Sequence, residues 1–257
     1  SADESATGML IAKSKVTTRN LLALSGFPVT KQILVKSIEE VEKAARIIGY
    51  PLVLKEENGD KGVGIHANIL NQQELLGCCA ECSFGQKRYV VEKHVQGNVY
   101  RINTVEGEVV RCVKRTNPRV IGDGQHSVSD LLRIYNSDTA RNSHYNVAEQ
   151  IAVDFDMERI LSQQDMTLTS IPRKGQIVQI RSGTEGAGIA KDVLQDMCEE
   201  NKSLFEQVAR TLSLDVTGID FITEDISTPW SKSDCAICEV NAQPQLGNSH
   251  PEIYKNY

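Results

Sequence analysis

Long apolar runs are missing from this 257-residue sequence, and none approaches the roughly 18 to 20 residues that span a bilayer. The opening SADESATG also lacks the basic and apolar regions of a signal peptide, so a cytoplasmic protein without membrane contact is expected. A basic excess is missing as well. The formal net charge is -6, which argues against a general binder of nucleic acid or membrane surfaces, since attraction to polyanions needs a basic surface; local basic sites stay open. Cysteine is too sparse, at seven, and odd in number for a secreted disulfide scaffold, which suits a reducing compartment. Two C-x-x-C spacings, Cys79/Cys82 and Cys235/Cys238, raise zinc as a question. The first falls in an expected helix and the second in an expected strand, where positions three apart point to opposite faces, so small buried hydrophobes are the better reading.

What is present is the composition of an ordinary globular protein, with 40% hydrophobic and 24% charged residues, long enough for one domain or two lobes. The pattern is mixed α/β. Ser14 is placed to cap a helix that ends at Gly26 before Pro28, and Ser37 with Glu40 forms a capping-box spacing ahead of Val41, Ala44, Ala45 and Ile48. Residues 51–55 and 88–95 read as strands, 99–105 and 108–114 as a hairpin around Glu106-Gly107. Helices are expected from Asn71, from Ser127, over 155–163 and over 196–212, with strands at 176–181, 216–223 and 234–241.

Two groups of residues could carry chemistry. The segment KEENGDKGVG joins a strand ending in Lys55 to a loop holding Gly59, Lys61, Gly62 and Gly64. Glycine amides can approach phosphate oxygens there while lysine supplies charge, although the lysine precedes the glycines and no Walker G-K-[ST] follows. An ordinary glycine-rich turn satisfies the same residues. The second group is Asp220, at the end of VTGID, with Glu239 and Asn241 two apart in CEVNAQ. Positions two apart on a strand share a face, so antiparallel pairing of the two segments would gather two carboxylates and an amide oxygen, a hard donor set suited to magnesium. Acidic residues at solvent-facing strand ends are the plain alternative.

These pieces resemble, in order and spacing, the ATP-grasp domain of cyanophycin synthetases and bifunctional glutathione synthetases. The resemblance runs from SATGMLIAKSKVTTRNLLALSGFPV through GYPLVLKEENGDKGVGI, YVVEKHVQGNVYRI and KRTNPRVIGDGQHSVSDLL to TGIDFI and CEVNAQPQL. It implies an α/β (α+β) ATP-grasp fold over 1–257, two lobes with nucleotide between them. A smaller nucleotide-covering lobe is expected at about 28–98 and a larger catalytic lobe at about 99–257. The implied cofactors are ATP and one or two magnesium ions. The implied reaction activates a carboxylate as an acyl phosphate and joins it to an amine, with a catalytically inactive ATP-binding regulator as the alternative.

Residue by residue, Lys15 and Lys55 match lysines that contact phosphates, and the Gly59 to Gly64 loop resembles the flap over them. Glu92 and Val95 match the adenine-binding hinge, while Asp220, Glu239 and Asn241 match the metal ligands. Arg181 resembles the arginine beside the transferring phosphate, and Arg101 and Arg115 are further anion contacts. Partners would be small-molecule or peptide carboxylates and amines, with a homo-oligomer or flanking domains of a longer chain also in view. Val99 stands where many relatives place an acidic residue for ribose, and RSGTEGAGIAKDV after Arg181 lacks the asparagine of cyanophycin synthetases.

Overall fold

A computed structural model describes residues 5–59, 64–137, 150–182, 190–242 and 244. The described residues group into two compact units, one drawn from Ser1–Lys31, Val95–Arg115 and Ala190–Tyr257, the other from Gln32–His94 and Thr116–Ile189.

The first unit holds helices α1 (Ala6–Ala12) and α2 (Lys15–Leu24). The second unit then begins with strand β1 (Gln32–Val35), helix α3 (Ile38–Ile48), strands β2 (Leu52–Glu56) and β3 (His66–Ile69), helix α4 (Gln72–Ala80) and strand β4 (Tyr89–Lys93). The caps follow from the sequence. Ser37 accepts from the Glu40 amide at 3.3 Å while the Glu40 carboxylate reaches back to the Lys36 amide at 2.9 Å, and Gly49 closes α3 with φ +78°. Asn71 and Glu74 repeat the device at α4. The four strands form a sheet in the order β1-β4-β2-β3, every pair antiparallel. Leu52, Leu54 and Val91 on one face pack with Val41, Ala44, Leu75 and Cys78 of the two helices.

The chain returns to the first unit for the hairpin β5 (Asn98–Val105) and β6 (Glu108–Arg115), turning at Glu106 and Gly107. The second unit is completed by β7 (Arg119–Ile121), α5 (Val128–Ser137), α6 (Phe155–Ser162) and β8 (Ile177–Gln179). Strands β7 and β8 pair antiparallel over a core that includes Val120, Leu132, Met157, Leu161 and Ile180. The first unit ends with β9 (Ala190–Asp192), α7 (Glu199–Leu212), β10 (Val216–Thr223) and β11 (Cys235–Asn241). Its five-stranded sheet runs β11-β10-β5-β6-β9. Helix α7 lays Leu204, Phe205, Val208 and Leu212 against Ile102, Ile219 and Phe221, each such side chain contributing about 1.5 to 3 kcal/mol on burial.

Five elements escape the sequence pattern: α1, β1, β3, β7 and β9. Each strand among them has three or four residues, too few for alternation to register, and α1 has seven. All seven cysteines are free thiols, and no group of three His, Cys, Asp or Glu among the described residues could hold a metal. Burial pushes the thiols of Cys78, Cys79 and Cys112 up to about 12.

Candidate functional site

In the first unit, β10 and β11 are antiparallel neighbours with Asp220 directly opposite Glu239 and Gly218 opposite Asn241. The register slips by one residue next to this pair: Asp220 faces Glu239 and Phe221 faces Ile237, so the pairing steps over Cys238. That bulge lets Ile237 and Val240 both enter the core while Glu239 and Asn241 share the other face. On the far side of β10, Asp220 is opposite Arg101, and one pleat further along Arg115 is opposite Val99. One face of the sheet therefore carries Val99, Arg101, Arg115, Asp220, Glu239 and Asn241, the other the apolar core.

Both carboxylates on this face stand against a cation. Arg101 grips Asp220 with Nε on Oδ1 at 2.6 Å and Nη2 on Oδ2 at 2.8 Å, a bidentate fork. Lys15, the first residue of α2 behind its Ser14 cap, brings Nζ to 3.9 Å from Glu239 Oε1. A carboxylate offers about four lone-pair directions, so Asp220 can keep its arginine and still coordinate a cation. Two carboxylates and a carboxamide on one face form the hard oxygen set that suits magnesium and leaves its remaining positions for phosphate oxygens.

In the second unit, Lys55 and Glu92 meet. Their strands are paired with Lys55 opposite Val90 and Glu92 opposite Val53, so the two lie diagonally on one face, with Lys55 Nζ 2.5 Å from Glu92 Oε2. Their side chains are only 11% and 4% exposed, which makes this a buried ion pair. Lys93 is turned to the opposite side and donates to the carbonyls of Gly49 and Tyr50. Gly59 follows β2, and Gly64, with φ +74°, precedes β3; Lys61 and Gly62 lie outside the described residues. Val95 is buried and belongs to the first unit, whereas Glu92 belongs to the second.

Arg181 follows β8 in the second unit, where its guanidinium bonds Asp154 and the Ala152 carbonyl, the latter at 2.7 Å. Asp154 also caps α6, accepting from the Met157 amide at 3.0 Å. Sequence reasoning missed three residues here. Gly218 stands on the carboxylate face, where an added Cβ would come within 2.9 Å of Arg101 Nη1, and a glycine inside a strand was its signal. Asp154 and Asp156 in VDFDME carry the signature of a capped helix start, which was legible without implying contact with Arg181.

No family model matches the chain. Among curated proteins, cyanophycin synthetase of Nostoc sp. is 32% identical over 241 residues, covering 92% of this chain and 27% of that protein. Among solved structures, the bifunctional glutathione synthetase of Pasteurella multocida is 25% identical with a TM-score of 0.57, covering 95% of this chain and 34% of that one. The ATP-grasp ligase PsnB, solved with a minimal precursor, Mg and ADP, has a TM-score of 0.55 at 12% identity over 96% of this chain and 55% of its own. The chain thus spans roughly a quarter to a third of the curated relatives it matches, as the 27% and 32% coverages of two of them show.

Proposed function

We propose, on the premise that this chain has the ATP-grasp fold and resembles cyanophycin synthetase over 92% of its length, that it is the catalytic domain of an ATP-dependent carboxylate–amine ligase. A carboxylate oxygen of one substrate attacks the γ-phosphorus and the bond to the bridging oxygen of ADP breaks, leaving an acyl phosphate. The amine of the second substrate then attacks the acyl carbon, phosphate departs, and an amide or peptide-like bond remains.

One observation carries this reading. The outer face of the five-stranded sheet gathers Asp220, Glu239 and Asn241 with Arg101 and Arg115, and Lys15 stands beside Glu239. Asp220, Glu239 and Asn241 would hold one or two magnesium ions, which when bound neutralise phosphate charge. Lys15 and Lys55 would bind phosphate oxygens as point charges, and Gly59, Lys61, Gly62 and Gly64 would be further phosphate contacts. Glu92 would accept from the adenine amino group while fixing Lys55, and the Val95 backbone would complete the adenine contact. The four-stranded sheet, all of it inside 28–98, would thus serve as the nucleotide-covering part. Arg181 would stabilise charge on the transferring phosphoryl group, and Arg101 would orient the substrate carboxylate while holding Asp220.

The test is a panel of carboxylates and amines supplied singly and in pairs with Mg-ATP. Release of ADP and phosphate only when both substrates are present supports the ligase. Tight ATP binding with no turnover on any pair would favour an inactive nucleotide-binding regulator.

A further inference from the structure

Strand β3 lies at the edge of its sheet, and side chains rather than a described strand satisfy its outward peptide groups. Arg159 of α6 donates from Nη2 to the Ala67 carbonyl at 2.7 Å and from Nη1 to the Asn68 carbonyl at 2.9 Å. The Ala67 amide donates to Ser182 Oγ at 3.1 Å. Glu74 Oε2 accepts from Arg159 Nη1 at 3.2 Å, and the Asp156 carboxylate joins Arg159 to Ser182. Asp156 Oδ1 accepts from Arg159 Nη2 at 2.7 Å, and Oδ2 accepts from Ser182 Oγ at 2.9 Å and from the Ser182 amide at 3.3 Å. His66 Nδ1 stands 3.5 Å from Oδ1. Asp156, Arg159 and His66 are all buried.

Burial pushes the Asp156 carboxyl up, but His66 and the Arg159 guanidinium outweigh it and hold the group at about 2, so it stays ionised near neutrality. Ser182 directly follows Arg181, whose guanidinium is itself held by Ala152 and Asp154 just ahead of the same helix. At its other end, β3 starts two residues after Gly64. The start of α6 therefore grips the backbone beside the arginine and the strand leaving the glycine loop.

We propose that Asp156 is a positioning residue, tying the Arg181–Ser182 backbone to β3 so that the arginine and the exit of the glycine loop are held in one frame. This rests on the reading of Arg181 as the group that stabilises the transferring phosphoryl. A charge-stabilising donor acts through its fixed placement, and a shift of about 1 Å can cost on the order of a hundredfold in rate.

Asp156→Asn tests it, because the substitution keeps the shape but turns one acceptor into a donor facing either Arg159 or Ser182. On a substrate pair turned over by the natural protein, kcat should fall about tenfold or more while KM for ATP stays within about twofold. The same substitution should change little further in an Arg181→Ala background. Ser182→Ala leaves the buried ion pair intact and should show the same split at smaller size, and it decides the matter if Asp156→Asn fails to fold by circular dichroism. An unchanged kcat, a loss confined to KM for ATP, or an equal loss with and without Arg181 would overturn the proposal. Hydrogen exchange needs no turnover: the Ala67 amide should lose protection in Asp156→Asn, and unchanged protection there also overturns it. If the natural protein turns over no pair, the ligase reading fails by itself and exchange still decides the coupling.

Discussion

Replacing Glu92 with Gln takes away the carboxylate that faces the Lys55 ammonium at 2.5 Å, where both side chains are almost fully enclosed. Breaking a buried pair from one side costs about 3 to 5 kcal/mol, because the remaining charge loses its compensation without regaining water. At about 2 to 4 °C per kcal/mol for a chain of this size, the melting temperature should fall by roughly 6 to 20 °C. Removing both charges is a different perturbation. A Lys55→Met, Glu92→Leu double variant lifts the desolvation cost of two ions and should be about as stable as the natural protein, or more stable by about 1 to 4 kcal/mol. If the pair exists to meet nucleotide, that stable protein should nevertheless lose Mg-ATP binding. Differential scanning calorimetry and isothermal titration on the three proteins separate the two effects. Natural affinity in the double variant would refute a nucleotide role, and an unshifted melting temperature in Glu92→Gln would refute the buried-pair energetics.

Arg181→Ala should lower kcat about a hundredfold with a much smaller change in ATP affinity, and Arg181→Lys should recover only part, because a point charge does not reproduce the planar fork; steady-state kinetics on both variants check this. Gly77→Ala should destabilise by about 1 to 2 kcal/mol despite the better helix propensity of alanine, since the new Cβ would sit 2.2 Å from Phe155 Cζ; urea unfolding measures it. Cys78, Cys79 and Cys112 have folded values near 12 against an ordinary 9, so between those limits the unfolded chain sheds protons that the native one keeps. Stability should therefore fall as pH rises above about 9, each thiol contributing up to about 1.4 kcal/mol per pH unit, and denaturant midpoints at pH 8 and 10 would reveal it.

Much of the fold was legible because its signals are local. Ser14, Ser37 and Asn71 each cap a helix through the side chain the sequence suggested. The two-residue spacing of Glu239 and Asn241 foretold a shared face, and antiparallel pairing then set Asp220 beside them. The bulge at Cys238 could not be foreseen, since two-versus-one pairing is decided by the partner strand and the core beneath it. Nor could the clamp around Asp156. Its members include His66, Ala67, Arg159 and Ser182; Ala67 and Ser182, joined by a hydrogen bond, are 115 residues apart, and no local spacing announces a contact of that range. Lys61 and Gly62 lie outside the described residues, so the glycine loop is defined by its two ends at Gly59 and Gly64.

The central claim is that a substrate carboxylate is activated by phosphoryl transfer, and isotope transfer tests it most directly. With a carboxylate substrate labelled by oxygen-18 at both oxygens, turnover with an amine and Mg-ATP should yield ADP and inorganic phosphate carrying a single labelled oxygen, read by mass spectrometry. Unlabelled phosphate, or AMP with pyrophosphate in place of ADP, would contradict the account.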